Sequence, residues 1–310
     1  MLPSLKASSQ QRTPRLGWLL GSSPRHVSFN VAFERRLQEL GYVDGKNLVI
    51  DDVFADGKVE RLAPLARELV ARKPDVLFIS GPEPNLKAMS EATNTIPIVV
   101  CAVDFDPEAK GYVKSLGRPG GNITGLHVQQ IEATAKRLEL LHNLLPSARR
   151  IAVLSDVFTA DQLDAARKAA QILKVELQVV ELRDYPYDYA RLVTQARATR
   201  SEAMLVLMSP RLFPGRESLV AELRKQALPA VFGLSQYVDV GGFASYGGSI
   251  DAILARGAVY VDKIFKGGAP SVMPMEQPTE FDLVVNLKVA RELGIKIPQS
   301  VLLRATRVIE

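Results

Sequence analysis

The stretch GYVKSLGRPGGNITGLH (Gly111–His127) separates two halves of the chain that have similar patterns. Residues 118–121 within it, Arg-Pro-Gly-Gly, continue neither a helix nor a central strand, because proline fixes φ and lacks a donor while paired glycines favour tight turns. Residues 122–126 then read as a short strand that carries the chain out of the first half. The stretch therefore indicates a passage between two lobes.

On both sides of this passage, short apolar runs alternate with segments of helical periodicity. The predicted strands are 15–20, 48–50, 76–80, 96–103, 150–156, 177–182, 203–208, 229–234, a glycine-flanked strand within 241–248, and 281–286. The predicted helices are 27–40, 59–72, 86–93, 131–145, 160–173, 187–199, 216–227, 250–266 and 287–293. Continuous apolar strands that alternate with helices predict parallel sheets covered on both faces. We expect an α/β protein of two doubly wound parallel-sheet lobes.

The last third of the chain predicts a hinge between the lobes. We expect a tail at 1–14, a first lobe of 15–125 plus 248–270, and a second lobe of 126–247 plus 271–310. The chain then crosses three times, near Gly125, Gly247 and Met275, and hinges are a few loop positions that absorb backbone change. Alternatively, the glycine pairs at 120–121 and 247–248 only satisfy turn geometry.

Composition narrows the function class. The 310 residues are 47% hydrophobic and 24% charged, the balance of a globular protein, and no apolar run approaches the roughly 20 residues that cross a bilayer. The net charge is +5, but Lys and Arg are scattered, whereas nucleic-acid binding concentrates them on one face. Cys101 is the single cysteine, so a disulfide framework and a cysteine metal site are excluded. We expect no nucleic-acid partner.

Candidate ligand contacts follow the strands, because ligands of open parallel sheets bind beyond the carboxyl ends of the strands. Asp104 is a candidate for holding a cationic group of the ligand. Asp104 and Asp106 also permit a metal pair or an acid/base couple, or a simple turn at Asp106-Pro107. Tyr246 either lines the cleft or packs the crossing strand. The candidates are Ser22, Ser23, Ser80, Gly81, Pro82, Asp104, Phe105, Asp156, Phe158, Ser209, Gln236 and Tyr246.

Catalytic and cofactor signals are poor. The three histidines, His26, His127 and His142, have no metal-ligand spacing. The turn after the first strand lacks both the G-x-G-x-x-G and the P-loop patterns that cradle phosphates. We therefore expect a binding protein without a cofactor or a metal, and not an enzyme.

Four blocks of the chain carry a family resemblance. They are 40–48 (LGYVDGKNL), 115–125 (SLGRPGGNITG), 136–141 (KRLELL) and 276–281 (EQPTEF). With them the chain resembles, from about residue 15 to 310, the substrate-binding proteins of ABC transporters, whose better-described members are similar to tryptophan- and aromatic-amino-acid-binding lipoproteins with a type I periplasmic-binding-protein fold. The chain departs from the family pattern at two loops. Residues 80–83 are Ser-Gly-Pro-Glu, where the family usually has Gly-Thr-Pro. Residues 155–158 are Ser-Asp-Val-Phe, where the family tends to have an Asn-Pro turn. An aspartate there does not donate an amide hydrogen bond.

The resemblance implies a non-catalytic receptor that closes on a small solute and presents it to a membrane permease. We expect the monomeric solute receptor of an ABC importer, which takes an amino acid, an aromatic or a carboxylate-like molecule in the periplasm. Residues 1–15 are polar and lack the apolar core of a secretory signal, so we expect no export signal in the chain as given; a removed signal peptide and one never present are both compatible with this. The alternative is a ligand-sensing domain of a signalling system on the same fold, since fold alone does not settle function. A transcriptional regulator is disfavoured, because about fifteen residues before the first strand are too few for a helix-turn-helix.

Overall fold

A computed structural model describes residues 12–21, 24–25, 27–103, 105–128, 130–183, 185–277 and 281–310. The first half forms a five-stranded parallel sheet with the strand order β2-β1-β3-β4-β5. Its strands are β1 (Arg15–Leu20), β2 (Val49–Phe54), β3 (Val76–Gly81), β4 (Ile98–Val103) and β5 (Ile123–Val128). Every residue of β4 and β5 is buried, as expected for strands covered on both faces.

The second half forms a seven-stranded sheet with the order β12-β11-β10-β9-β8-β6-β7. Its strands are β6 (Arg150–Ser155), β7 (Glu176–Glu181), β8 (Ala203–Val206), β9 (Ala230–Phe232), β10 (Ala244–Gly248), β11 (Phe281–Asn286) and β12 (Arg307–Ile309). Only the β10–β11 pair is antiparallel among the paired strands of the described chain.

Helices cover both faces of each sheet. They are α1 (Ser28–Glu39), α2 (Leu62–Ala71), α3 (Glu83–Ala92), α4 (Gln130–Leu144), α5 (Ala160–Leu173), α6 (Tyr189–Ala198), α7 (Arg216–Lys225), α8 (Gln236–Asp239), α9 (Ile250–Phe265), α10 (Leu287–Glu292) and α11 (Gln299–Leu302). On the first sheet, Phe33 of α1 stacks on Phe78 of β3 with ring centroids 3.9 Å apart, and Leu254 of α9 is buried in the same cluster. The late helix α9 therefore completes the core of the first lobe. Among the described residues, no helix has both the length and the apolar character that crossing a bilayer requires.

The chain passes between the sheets three times: from β5 to α4, from β10 to α9, and from residues 275–276 to β11. The first and third passages are hydrogen-bonded to each other, since Glu276 N–H donates to Gly125 O (3.0 Å) and His127 N–H donates to Glu276 O (2.9 Å). Near the second passage, a Cβ at Gly247 would lie 2.1 Å from Gly233 O. This glycine is required by the close approach of two backbones.

The predicted fold class, two doubly wound α/β lobes, is confirmed. The strand predicted at 122–126 is confirmed as the edge strand β5, from which the chain leaves the first sheet for α4. Two local interpretations are wrong. Residues 83–85, read as a loop, form the first turn of α3, because Pro84 is compatible with the first turn of a helix. Gln236, read as part of a loop, begins α8. The lobe boundaries listed above stay a prediction.

Candidate ligand-binding cleft

A cleft of about 850 Å³ of empty volume, part of it open to solvent, lies between the two sheets. The carboxyl ends of β1, β3 and β4 reach it from the first lobe, and those of β8 and β9 reach it from the second. Its lining includes Leu20, Gly21, Asn30, Ser80, Gly81, Pro82, Asn85, Val103, Val206, Leu207, Met208, Ser209, Pro210, Phe213, Gly233, Leu234, Tyr237, Ile250 and Leu254. This placement is the one expected for a ligand site in open parallel sheets.

The lining is mainly apolar, with an aromatic wall on the second lobe. Phe213 and Tyr237 meet edge to face with ring centroids 6.2 Å apart, and Tyr237 stacks on Phe232 at 4.6 Å. Tyr237 is 5% exposed, and burial raises the pKa of its hydroxyl far above the ordinary range, so the side chain stays neutral. Of the residues that the structure describes, those lining the cleft carry no charged side chain. The cleft is suited to an apolar ligand body with a few polar groups.

The polar groups of the first-lobe wall are held by Asn85 of α3. Its Nδ2 donates to Ser80 O at 2.9 Å, and a Cβ at Gly81 would lie 2.9 Å from the same nitrogen. Gly81 also has φ of +119°, which a residue with a side chain rarely adopts. The amide therefore locks the end of β3 beside the cleft.

The polar group of the second-lobe wall is Ser209, which is backed by Asp156. The Ser209 hydroxyl donates to Asp156 Oδ2, and it accepts from the backbone N–H of Arg211 at 3.1 Å. Tyr187 Oη also donates to Asp156 Oδ2 (3.1 Å), and Phe158 N–H donates to Oδ1 (2.9 Å). Burial, with the Asp156 charge second, raises the pKa of Tyr187, which keeps this hydroxyl a donor.

At the edge of the cleft, Arg211 of the second lobe reaches the first lobe. Its Nη2 donates to Gly57 O at 3.3 Å, and its guanidinium carbon lies 5.1 Å from the Phe158 ring centroid and 5.6 Å from that of Tyr185. Phe158 lines a small neighbouring pocket whose other walls, including Gly57 and Lys58, belong to the first lobe. This contact, the latch, consists of Arg211, Phe158, Tyr185 and Gly57.

The sequence model of the family described as "ABC transporter substrate binding protein" matches residues 28–309. The chain belongs to this family. The resemblance drawn from the sequence is thereby confirmed, and the family consists of binding proteins. The curated tyrosine-binding protein of Clostridioides difficile is 35% identical over 152 residues, which are 48% of this chain and 42% of that protein. The match thus spans less than half the length of that relative.

Solved structures resemble this substrate-binding protein over nearly its full length. A conserved domain protein from Vibrio cholerae is 28% identical with a TM-score of 0.85, covering 96% of this chain and all of that one. An ABC domain from Streptococcus pneumoniae in complex with L-Trp is 25% identical with a TM-score of 0.83 and the same coverage. The type I periplasmic-binding-protein fold predicted from the sequence is confirmed.

The predicted contact residues of the substrate-binding protein fall into four groups. The residues that line the cleft are Ser80, Gly81, Pro82 and Ser209. Asp156 binds the Ser209 hydroxyl from behind the cleft wall, and Phe158 belongs to the latch. Whether each contacts ligand stays a prediction. Ser22, Ser23 and Asp104 lie outside the described residues.

Three candidates lie away from the cleft. Phe105 is 2% exposed in the core of the first lobe, where its ring centroid lies 6.1 Å from that of Tyr112. Gln236 donates to Asp251 Oδ1 at 3.5 Å beside a separate surface depression. The Tyr246 ring stacks on that of Phe281 with centroids 5.6 Å apart, and it lines a surface depression with Lys136 of α4. Successive side chains of a strand point to opposite faces of the sheet, and this ring lies on the face away from the cleft.

Sequence reasoning missed Asn30, Asn85, Phe213, Tyr237 and Arg211. Tyr237 adjoins Gln236 in the chain, and the turn of α8 directs the ring, rather than the amide, to the cleft. Helical periodicity at 236–239 was the available signal. Nothing in the sequence distinguishes Arg211 from the other arginines.

The described residues contain no group of three His, Cys, Asp or Glu side chains that could hold a metal ion. Cys101 is fully buried, and burial raises the pKa of its thiol far above the usual range. Burial likewise lowers the pKa of His127, whose Nδ1 has no hydrogen-bond partner. Neither side chain lines the cleft.

Proposed function

We propose that this substrate-binding protein is the solute receptor of an ABC importer and binds an aromatic amino acid between its lobes. The observation that carries the proposal is the inter-lobe cleft, which combines an aromatic wall of Phe213 and Tyr237 with the hydroxyls of Ser80 and Ser209. An aromatic amino acid presents the matching surfaces, a flat apolar body and a small polar head.

Two relatives support this ligand class. The Streptococcus pneumoniae structure contains L-Trp, and the Clostridioides difficile protein is named as tyrosine-binding. The first of these matches nearly the whole of both chains. A carboxylate-like aromatic molecule without an amine is the nearest competing ligand within the same cleft.

Ligand capture proceeds by closure of the two lobes about the three passages near Gly125, Gly247 and Met275. A ligand held by both walls favours the closed form by its differential affinity for that form. The latch supports this reading, because Arg211 and Gly57 belong to different lobes and their hydrogen bond requires the lobes to be close. The boundaries proposed for the lobes are 15–125 plus 248–270 and 126–247 plus 271–310.

The protein acts as a monomeric, non-catalytic receptor in the periplasm and delivers its ligand to a membrane permease. Family membership supports this role, since substrate-binding proteins of ABC transporters work outside the cytoplasmic membrane. A role without an enzymatic step is consistent with a cleft whose described lining consists of apolar, hydroxyl and amide side chains.

Calorimetric titration with L-tryptophan, L-tyrosine and L-phenylalanine tests the function. We expect saturable binding of at least one, and Ser80→Tyr, which places a ring in the cleft, should weaken it by at least about 30-fold, or ~2 kcal/mol. Ser300→Tyr on the exposed face of α11 is the matched control and should bind like the wild type. The proposal fails if none of the three binds, or if both variants bind equally well.

A further inference from the structure

The second-lobe wall of the cleft has a defined hydrogen-bond polarity at Ser209. Ser209 follows β8, is 6% exposed and lines the cleft. A serine hydroxyl has one proton to donate and two lone pairs that accept. Here the proton is directed to Asp156 Oδ2, and one lone pair accepts the Arg211 N–H at 3.1 Å. The remaining capacity of Ser209 is therefore one acceptor site.

Asp156 keeps the hydroxyl in this orientation. An ionised carboxylate only accepts hydrogen bonds, so it cannot return a proton to Ser209. Its other partners, Tyr187 Oη at 3.1 Å and Phe158 N–H at 2.9 Å, are also donors. The three described hydrogen-bond partners of this carboxylate, Ser209, Tyr187 and Phe158, thus all donate to it, as expected around a negative charge.

The charge of Asp156 has no opposing cation on the cleft lining within the described chain. Arg211 is the cation bordering this cluster; its charge acts on the Tyr187 hydroxyl that is bound to Asp156, and its guanidinium donates to Gly57 and stacks on Phe158 and Tyr185. A ligand group beside Ser209 therefore meets a lone pair backed by a carboxylate. This acceptor site has no proton to give to a carboxylate of the ligand, whereas it accepts from an N–H donor, above all a protonated amine.

We propose that the Ser209–Asp156 pair selects ligands that carry a protonated amine, with Ser209 as the acceptor and Asp156 as the residue that positions its hydroxyl. This inference rests on the proposed function and deepens it: it assigns to this pair the discrimination between an amino acid and an aromatic carboxylic acid. Asp156 is then the source of that selectivity.

The test compares matched pairs of probes that differ only in the α-amino group. Calorimetric titrations use L-tryptophan against indole-3-propionate and L-tyrosine against 3-(4-hydroxyphenyl)propionate. The readout is the ratio of the two Kd values within a pair, because a purely structural change alters both affinities alike. We expect the wild type to prefer the amine, and Asp156→Asn and Ser209→Ala to reduce that preference by about 10-fold or more, the scale of a charge-assisted hydrogen bond.

Two further variants complete the design. Ser209→Thr keeps the hydroxyl and should retain most of the preference. Asp164→Asn removes an exposed carboxylate on α5 that pairs with Arg167, and its ratio should match the wild type. The inference is overturned if the wild type binds the deaminated probe as tightly as the amino acid, or if Asp156→Asn weakens both equally; the proposed function survives either result. If no probe binds the wild type, both fail together.

Discussion

The latch offers the sharpest test of lobe closure, through the variant Arg211→Ala. Arg211 donates to Gly57 O across the cleft, and it packs on Phe158 and Tyr185 within its own lobe. Under the proposed closure, the ring contacts persist when the lobes separate, whereas the bond to Gly57 is lost. The substitution should therefore destabilise the closed form more than the open one.

The magnitude follows from that single bond. A hydrogen bond with a charged donor contributes ~1.5 to 3 kcal/mol, and the 3.3 Å separation favours the lower value. A loss of ~1.5 kcal/mol from the closed form raises the Kd for ligand about 10-fold, because binding requires that form. The backbone N–H of Arg211 still donates to Ser209, so the cleft wall is retained.

The assay is calorimetric titration with L-tryptophan, together with small-angle scattering with and without it. Arg211→Ala should bind more weakly yet contract to the same radius at saturation. Arg167→Ala on α5, whose partner is Asp164, is the matched control and should titrate like the wild type. An unchanged Kd for Arg211→Ala would refute the latch. Superimposable scattering of free and saturated wild type would refute closure itself.

Two further predictions concern stability. Gly247→Ala places a Cβ 2.1 Å from Gly233 O, so it should lower the free energy of unfolding by ~1 to 3 kcal/mol and reduce the thermal midpoint. Gly117→Ala, which has open space around the added Cβ, is the control and should leave the midpoint unchanged. Equal midpoints for the two variants would contradict the packing described at this passage. Burial lowers the pKa of His127 below the ordinary 6.5, with Asp106 and Glu132 opposing this, so the folded state binds fewer protons than the unfolded one. The stability that neutral His127 provides above pH 6.5 is lost as the pH falls towards the folded pKa. The urea midpoint should therefore change less between neutral and mildly acidic pH in His127→Gln than in the wild type. An equal change in both proteins would exclude His127 as a source of the pH dependence.

Sequence patterns predicted the strands and long helices well because burial imposes a period. The six apolar residues of β4 and the two-faced helix α9 are examples, and both lie within a residue or two of their predicted bounds. The short edge strand β12 was missed, since its residues are largely exposed and leave no apolar run. The start of α3 was missed because Pro82 and Pro84 resemble loop residues, although proline is compatible with a first turn.

The site was only partly predictable. Strand-end loops located Ser80, Gly81, Pro82 and Ser209 on the cleft, because parallel topology alone brings carboxyl ends together. Which neighbouring side chain turns inward depends on local geometry, and so Tyr237 faces the cleft instead of Gln236. Asn85 and Arg211 act through contacts that join distant segments, which a linear pattern does not reveal.

The position of α9 has a consequence for biogenesis. Trp18, Phe33 and Phe78 are made early on the ribosome, yet the helix that covers them, residues 250–265, emerges only after most of the second lobe. Until then the nascent chain displays an uncovered aromatic surface of the kind that chaperones recognise and that aggregates when left bare. A fragment truncated before residue 250 should consequently be unable to acquire even half of the native structure, despite containing every strand of the first sheet.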